Sequence, residues 1–410
     1  LSFAQERLWF VEQFEDNLSA YNVPVVLNLK KDVSKEKIES ALKSLVQRHE
    51  ILRTCIKGDY QIVTNQELQI THDCINVNEY LNRPFNLTKN IPIRVNLYAR
   101  KLVIDIHHMA FDGWSTEVFL RELHQLYYQE PLVSLTVQYK DFAQWQRKYV
   151  ASSAVQEQLD FWKKELSGYE TLNLPADYER PKNFTYRGKT LQVPFNNKLE
   201  HELLNFAKKQ KTSLYTVMLS VLDLMLSRFS YQNDIIVGTP LANRNIEGTE
   251  DLIGFFINTL PIRTKVDEEQ SFKELLSSNS LKVQGVQNMQ DIPFEQIVKS
   301  LNVERDSSRN AIFQVLFSVQ DFSKEIKNSN LFSGINQGLT GNSAKYDLSV
   351  MVENGYISFN YCSDIYKKTT ISSMLNTYMT LLEKLLVQNN VPMQNVGNVD
   401  VVARGDVVNY

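Results

Sequence analysis

The chain has 410 residues, 43% hydrophobic and 22% charged, the composition of a globular protein long enough to bury a core without disulfides or metals. Its 44 basic and 47 acidic residues leave a net charge of −3, so it lacks the basic excess that nucleic-acid binding demands. Three widely spaced cysteines (Cys55, Cys74, Cys362) form neither a disulfide framework nor a CxxC metal motif, and they suit a reducing compartment.

Ser34–Arg48 predicts a helix. Ser34 suits the N-cap, and Ile38, Leu42, Leu45 and Val46 recur at helical spacing. Ile91–His108 predicts a hairpin about an Arg100-Lys101 turn, since both arms are rich in β-branched residues. Ser115–Gln129 predicts a helix with Phe119, Leu123, Leu126 and Tyr127 on one face. Glu117 lies in its first turn, where the helix dipole favours an acid. Leu174–Gly188 carries Pro175 and Pro181 without apolar periodicity, and is the best linker candidate. Beyond it come helices at Leu199–Gln210 and Ser213–Phe229 and a buried strand at Asp234–Thr239. Ser271 and Glu274 form a capping box that opens a helix toward Gln287. Ser349–Glu353 and Tyr356–Cys362 predict a hairpin around Asn354-Gly355, and Thr370–Val387 an amphipathic helix. Helices interleave with hairpins without strict strand-helix alternation, which predicts an α+β fold with mixed sheets and no internal repeat.

The sequence opens on Leu1 with no basic and then apolar leader. Its longest uncharged apolar run, Leu252–Ile262, is too short to span a bilayer. The expectation is a cytoplasmic segment of a longer polypeptide, with no membrane partner. Asn-x-Ser/Thr triplets at Asn17, Asn86 and Asn183, and the string Arg404-Gly405-Asp406, read as chance.

Two of the six histidines are adjacent, in LVIDIHHMAFDGWS. Side chains alternate along a strand, which places His108 with Leu102, Ile104 and Ile106, and His107 with Val103 and Asp105. Asp112-Gly113 is a turn signal, and Ser115 then begins a helix. Strand, tight turn and helix place a reactive side chain at a sheet edge, and histidine is the usual general base. A lone histidine pair is more often core than catalytic; the full His-His-x-x-x-Asp-Gly string changes those odds.

That string resembles the signature of the acyltransferase superfamily that includes chloramphenicol acetyltransferase and the condensation domains of non-ribosomal peptide synthetases. Six further segments are similar to condensation motifs in the family's order. They are Ser2–Trp9, Arg48–Thr54, Tyr139–Trp145, Ile253–Thr259, Gln290–Glu295 and Arg305–Asn310. The departures are Ala311, where the family often has proline, and the filling Met109-Ala110-Phe111.

The resemblance implies two chloramphenicol-acetyltransferase-like lobes in a V-shaped pseudo-dimer with a central tunnel. The lobes would cover 1–174 and 175–410, with a floor loop at about 252–264 and a latch at about 328–343. It implies amide formation between a donor aminoacyl or peptidyl thioester and the amine of an acceptor aminoacyl thioester. Both ride on the 4′-phosphopantetheine arms of upstream and downstream carrier domains, beside an adenylation domain. The domain itself would bind no cofactor and no metal. His108 is the implied catalytic residue. Asp112 is structural and commonly paired with an arginine, here Arg244, and Gly113 lies beside the thioester. His107 reads as a packing or tautomer-fixing residue, Arg48 and Arg244 as buried partners of acids, and Trp9, Trp114 and Trp145 as core. Trp114, Ser115, Gly254, Asn258 and Ser308 are candidates to face the substrate. An epimerisation domain shares the fold and the histidine string, and a recruiting domain shares the fold. The Asp-Gly-Trp-Ser-Thr and Arg-His-Glu-Ile-Leu-Arg-Thr strings favour condensation.

Overall fold

Ser34 ends an extended stretch and its hydroxyl accepts Lys37 N–H, so the helix it opens runs from Lys35 as the sequence predicts. The structure is a computed structural model and describes residues 1–14, 19–195, 197–304, 306–320, 330–335, 343–353 and 355–396. Asn17, Arg305, Asn354, 404–406 and the latch positions 328–329 and 336–342 lie outside the described residues.

In chain order the elements begin with α1 (Phe3–Phe14), β1 (Asn22–Leu29), α2 (Lys35–Arg48), β2 (Thr54–Lys57), β3 (Tyr60–Val63), β4 (Ile70–Thr71) and α3 (Val77–Leu81). There follow β5 (Ile93–Tyr98), β6 (Lys101–His107), α4 (Gly113–Tyr127), α5 (Tyr139–Val150), α6 (Gln156–Glu165) and β7 (Gly188–Pro194). Then come α7 (Asn197–Lys209), α8 (Leu214–Ser230), β8 (Asp234–Leu241), β9 (Asn258–Lys265), α9 (Phe272–Asn288) and α10 (Phe294–Ser300). The last are β10 (Val315–Gln320), β11 (Phe332–Ile335), β12 (Leu348–Glu353), β13 (Tyr356–Cys362) and α11 (Lys368–Val387). The fold is mixed α+β.

The chain forms two compact units. The first takes residues 1–156 and 242–258 with the described part of 322–341. The second takes 157–241 with the described parts of 259–321 and 342–410. The changeover falls at Gln156 and Glu157 rather than in Leu174–Gly188 because α6 bonds into the second unit. Gln158 donates to Asp291 and accepts Ile292 N–H, and Trp162 Nε1 donates to Met289 O. The proline-bearing stretch is pinned within that unit: Arg180 pairs with Asp347, and Asp177 accepts from Lys367 N and Thr370.

The first unit's sheet has the order β11-β1-β6-β5-β4. β6 is antiparallel to both neighbours, in registers Asn22↔His107 and Ile93↔Ile106. Alternation sends Leu102, Ile104 and Ile106 into the main core, with Ile38 and Leu42 of α2 and Phe119 and Leu123 of α4. Val103 joins Val26, Tyr80 and Leu81 in a smaller cluster. Asp105 is fully buried and paired with Arg94 at 2.5 Å. The strand stops at His107, and His108–Ala110 form a 3-10 turn. His108 therefore does not continue the alternation. α4 begins at Gly113 rather than Ser115, because the Asp112 carboxylate caps it by accepting Ser115 N–H. Glu117 thus falls beyond the first turn. Trp114 and Trp145 are 41% and 36% exposed, so they are not the core residues expected.

The second unit's sheet has the order β7-β13-β12-β10-β8-β9. β10 runs parallel to β8 and β12, while the hairpin β12–β13 and strand β7 are antiparallel. Helix α8, apolar on nearly all sides, is buried almost throughout.

Candidate active site

Each residue that builds the histidine turn lies in the first unit. The turn hangs from the end of β6 by the bond from His108 N to Tyr21 O. His107 is fully buried, its Nδ1 accepts Met109 N–H at 3.2 Å, and its Nε2 lies 3.1 Å from Glu12 Oε1. An imidazole nitrogen that accepts an amide proton carries none, so His107 is the Nε2–H tautomer and donates to Glu12. That makes His107 a fastener between α1 and the turn.

His108 is half-buried, and its Nδ1 lies 2.6 Å from the Phe111 carbonyl oxygen. A carbonyl only accepts, so Nδ1 carries a proton, and in the neutral ring Nε2 holds the lone pair. The ring meets the edge of Phe255 with centroids 4.8 Å apart.

Asp112 is 2% exposed, and donors saturate its carboxylate. Oδ1 accepts from Ser115 N at 2.9 Å, Ser115 Oγ at 2.7 Å and Arg244 Nη2 at 3.0 Å. Oδ2 accepts Phe256 N–H at 3.0 Å. Arg244 spends its other amino group on the carbonyls of Thr249 and Leu252 at 2.7 and 2.6 Å. Its guanidinium carbon sits 4.1 Å from the centre of the Phe256 ring. Burial pulls the Arg244 pKa down while the Asp112 charge opposes that shift. Arginine stays charged regardless, so the two form a buried ion pair.

These bonds fix Leu252–Ile257 under the histidine. Tyr139 OH donates to Phe255 O at 2.7 Å and accepts from Ser2 Oγ at 2.8 Å. Ser115 Oγ accepts Gly254 N–H at 3.1 Å and lies 3.0 Å from Gly254 O. A Cβ on Gly254 would sit 2.2 Å from the Tyr139 ring, so only glycine admits this packing. The same loop meets a second acidic hub. Ile253 N donates to His49 Nδ1, and His49 Nε2 donates to Glu122 at 2.7 Å. Arg48 Nε donates to Glu122 at 3.0 Å. Burial raises the Glu122 pKa, but the bonds and charge of His49 and Arg48 outweigh it and hold the carboxyl below its usual range.

The structure therefore brings His107, His108, Asp112, Gly113, Ser115, Arg244 and Gly254 together. Arg48 belongs to the neighbouring hub. Ser115 and Gly254 are both buried. Trp114 is exposed and donates to Glu250 O at 2.9 Å. Asn258 is buried at the start of β9. Ser308 belongs to the second unit, where its hydroxyl donates to Asp306. Sequence reasoning gave no individual role to Gln5, Glu12 or Glu122, and placed Tyr139 only within the Tyr139–Trp145 motif. Gln5 Nε2 donates to Met109 O at 2.9 Å, which ties the first motif to the histidine turn. Its place in Ser2–Trp9 was the one available signal. Among the described residues no group of three or more His, Cys, Asp or Glu could hold a metal ion, and no helix is long and apolar enough to cross a membrane.

Comparison with known proteins gives a consistent result. The family model for the condensation domain matches residues 1–404. Gramicidin S synthase 2 of Brevibacillus brevis is 30% identical over 97% of this chain, which spans 9% of that protein. Surfactin synthase subunit 1 of Bacillus subtilis (strain 168) is 34% identical over 93% of the chain, which spans 11% of it. The X-domain from teicoplanin biosynthesis superposes with a TM-score of 0.85 at 21% identity, covering 97% of each chain. The condensation domain of the Monacolin K polyketide synthase gives 0.86 at 19% identity, covering 96% of this chain and 98% of that one. The epimerization domain from the third module of tyrocidine synthetase B gives 0.77 at 19% identity, covering 94% and 97%. Likeness at this identity is a likeness of fold.

Proposed function

The chain belongs to the condensation-domain family, and from that premise we propose that it forms amide bonds in non-ribosomal peptide synthesis. The donor is an aminoacyl or peptidyl thioester and the acceptor is the amine of a second aminoacyl thioester. Both are carried on phosphopantetheine arms of flanking carrier domains, next to an adenylation domain, and a cytoplasmic site of action goes with this reading. The observation that carries the proposal is the contact of His108 Nδ1 with Phe111 O. With the Nδ1 proton committed to that carbonyl, the neutral ring holds its lone pair on Nε2.

The chemistry needs little more. The acceptor nitrogen attacks the thioester carbonyl, the new C–N bond forms and the C–S bond breaks. The proton lost by the amine passes through Nε2 toward the departing thiolate. A thioester is already activated, and an α-amine with a pKa of about 7.7–8.0 is partly neutral near pH 7. Holding two tethered reactants in line is worth effective molarities of up to ~10⁵–10⁸ M. A general base adds ~10²–10⁴-fold. Asp112 and Arg244 act at a distance from the reacting atoms, by fixing the loop that packs Phe255 against the histidine.

The test supplies loaded donor and acceptor carrier domains to the wild-type chain and to His108→Ala. A dipeptidyl thioester formed by the wild type and lost in the variant supports the reading. Inversion at Cα without a new amide would point to epimerisation. Carrier binding without turnover would point to recruitment, and an unchanged rate in His108→Ala would remove His108 from the mechanism.

A further inference from the structure

The face of β6 turned away from the main core is organised around Arg94. Alternation puts Val103, Asp105 and His107 on that face, and the chain that follows α3 is bonded to it. Arg94 of β5 stands opposite Asp105 in the ladder. Its Nε and Nη2 donate to Asp105 Oδ2 at 3.0 and 2.5 Å, and Nη2 also donates to Arg83 O at 2.5 Å. The guanidinium carbon lies 4.3 Å from the centre of the Phe85 ring and 5.3 Å from that of Tyr80. Phe85 in turn meets the His107 ring edge-on, with centroids 5.8 Å apart. A planar fork can bind a carboxylate and a carbonyl and still lie flat on a ring, which a single ammonium cannot do.

The second anchor is Asn22, the partner of His107 in β1. Its Nδ2 donates to Leu81 O at 2.8 Å and Arg83 O at 2.9 Å, and lies 3.1 Å from Asp105 Oδ2. The peptide that joins Tyr21 to Asn22 supplies the carbonyl that accepts His108 N–H at 2.8 Å. Asn22 and Arg94 therefore share two acceptors, Asp105 and Arg83 O. Through them they fix the two supports of the histidine turn: the Tyr21 carbonyl that holds His108 N, and the His107 ring whose Nδ1 accepts Met109 N–H. A role confined to covering the sheet would not require the bonds to converge on those two points.

We infer that Asn22 and Arg94 are positioning residues for His108, acting through the Tyr21 carbonyl and the His107 ring rather than on the substrate. The inference rests on the amide-forming reading for its kinetic consequence alone. The geometry it asserts is read from the histidine rings.

The test compares the wild-type chain with Asn22→Ala and Arg94→Lys by NMR of labelled histidine rings and by kinetics with loaded carrier domains. The His108 resonances should move or broaden in Asn22→Ala and those of His107 in Arg94→Lys, while His124 of α4 and His201 of α7 keep theirs. Misplacing a catalytic group by about 1 Å can cost up to ~10²-fold, so kcat should fall about tenfold in either variant with KM little changed. Arg94→Lys keeps a cation beside Asp105 and serves where Asn22→Ala does not fold. Ring resonances of His107 and His108 that stay in place in both variants overturn the inference whatever the activity. Displaced rings with an unchanged kcat overturn it too, and so does a loss confined to KM. A wild type that forms no amide bond removes the functional reading instead, and the ring spectra still decide whether the two residues hold the turn.

Discussion

His107 and His108 hold their ring protons on opposite nitrogens. His107 accepts Met109 N–H at Nδ1 and donates from Nε2 to Glu12, whereas His108 donates from Nδ1 to Phe111 O. The first ring is thereby bonded at both nitrogens, and the neutral form of the second carries its lone pair on Nε2. The expected imidazole nitrogen spectra differ accordingly. His108 should show a protonated Nδ1 and an unprotonated Nε2, and His107 the reverse. Two-bond proton–nitrogen correlations on ring-labelled protein read both rings at once. Matching tautomers would remove this division of labour.

Asp112 and Arg244 test how far the ion pair is structural. Each is 2% exposed at its side chain. Removing one partner of a buried pair strands the other charge and costs about 3–5 kcal/mol. Arg244→Ala should therefore lower stability by about that amount, and Arg244→Lys should recover only part of it, since one ammonium cannot reach Asp112, Thr249 and Leu252 together. Asp112→Asn should also suffer, because whichever way its amide turns, an NH₂ faces a donor. Denaturant unfolding reads these losses, and a change below about 1 kcal/mol in Arg244→Ala would contradict the buried pair.

Gln5 holds the histidine turn from the side of α1, through Met109 O at 2.9 Å. Its Oε1 accepts Ser2 N–H at 3.0 Å, so the amide is oriented before it reaches the turn. Gln5→Ala should cost about 2 kcal/mol of stability, the ordinary worth of two hydrogen bonds. It should lower kcat for the proposed amide formation more than it raises KM, because it frees the turn that carries His108. The measurement is steady-state kinetics with loaded carriers beside a denaturation curve. A pure KM effect would mean that the turn does not depend on Gln5.

The helices with clear caps were legible in the sequence because their signals are local. Ser34, Ser213 and Ser271 each cap the helix predicted from them. Asp112 was harder, because its carboxylate caps α4 and also binds Arg244 and Phe256 N, which lie far along the chain. Propensity placed the helix start at Ser115, whereas the Asp112 cap on Ser115 N–H starts it at Gly113. The end of β6 was missed for a related reason: His107 uses its ring to bond Met109 N, and that turns the chain before His108 can alternate. Trp114 was misjudged as core because its type argues for burial, whereas its position in the first turn of α4 leaves it exposed. The partition of the chain was legible only in outline. Segment 242–258 joins the first unit through the Arg244 and Gly254 bonds, which no local pattern announces.

Asp223 sets a pH dependence in the second unit. It stands in the middle of α8, fully buried, and accepts from Asn279 Nδ2 at 2.9 Å. Its surroundings are polar but uncharged: Asn279, Thr264 and the phenols of Tyr215 and Tyr378. Burial pushes its pKa up to about 7, against hydrogen bonding by Thr264 and Asn279 that pulls the other way. An exposed aspartate titrates at about 3.9, so between these values the folded chain holds a proton that the unfolded chain has released. The associated stability is complete below about pH 4 and is lost as pH rises through 7, by at most about 1.4 kcal/mol per pH unit. Asp223→Asn keeps an acceptor for Asn279 and has no charge to desolvate. The variant should match the wild type near pH 4 and melt at a higher temperature than the wild type at pH 8. Thermal unfolding of both proteins across that range measures the gap. A gap that does not widen with pH would mean that Asp223 is ionised in the folded chain.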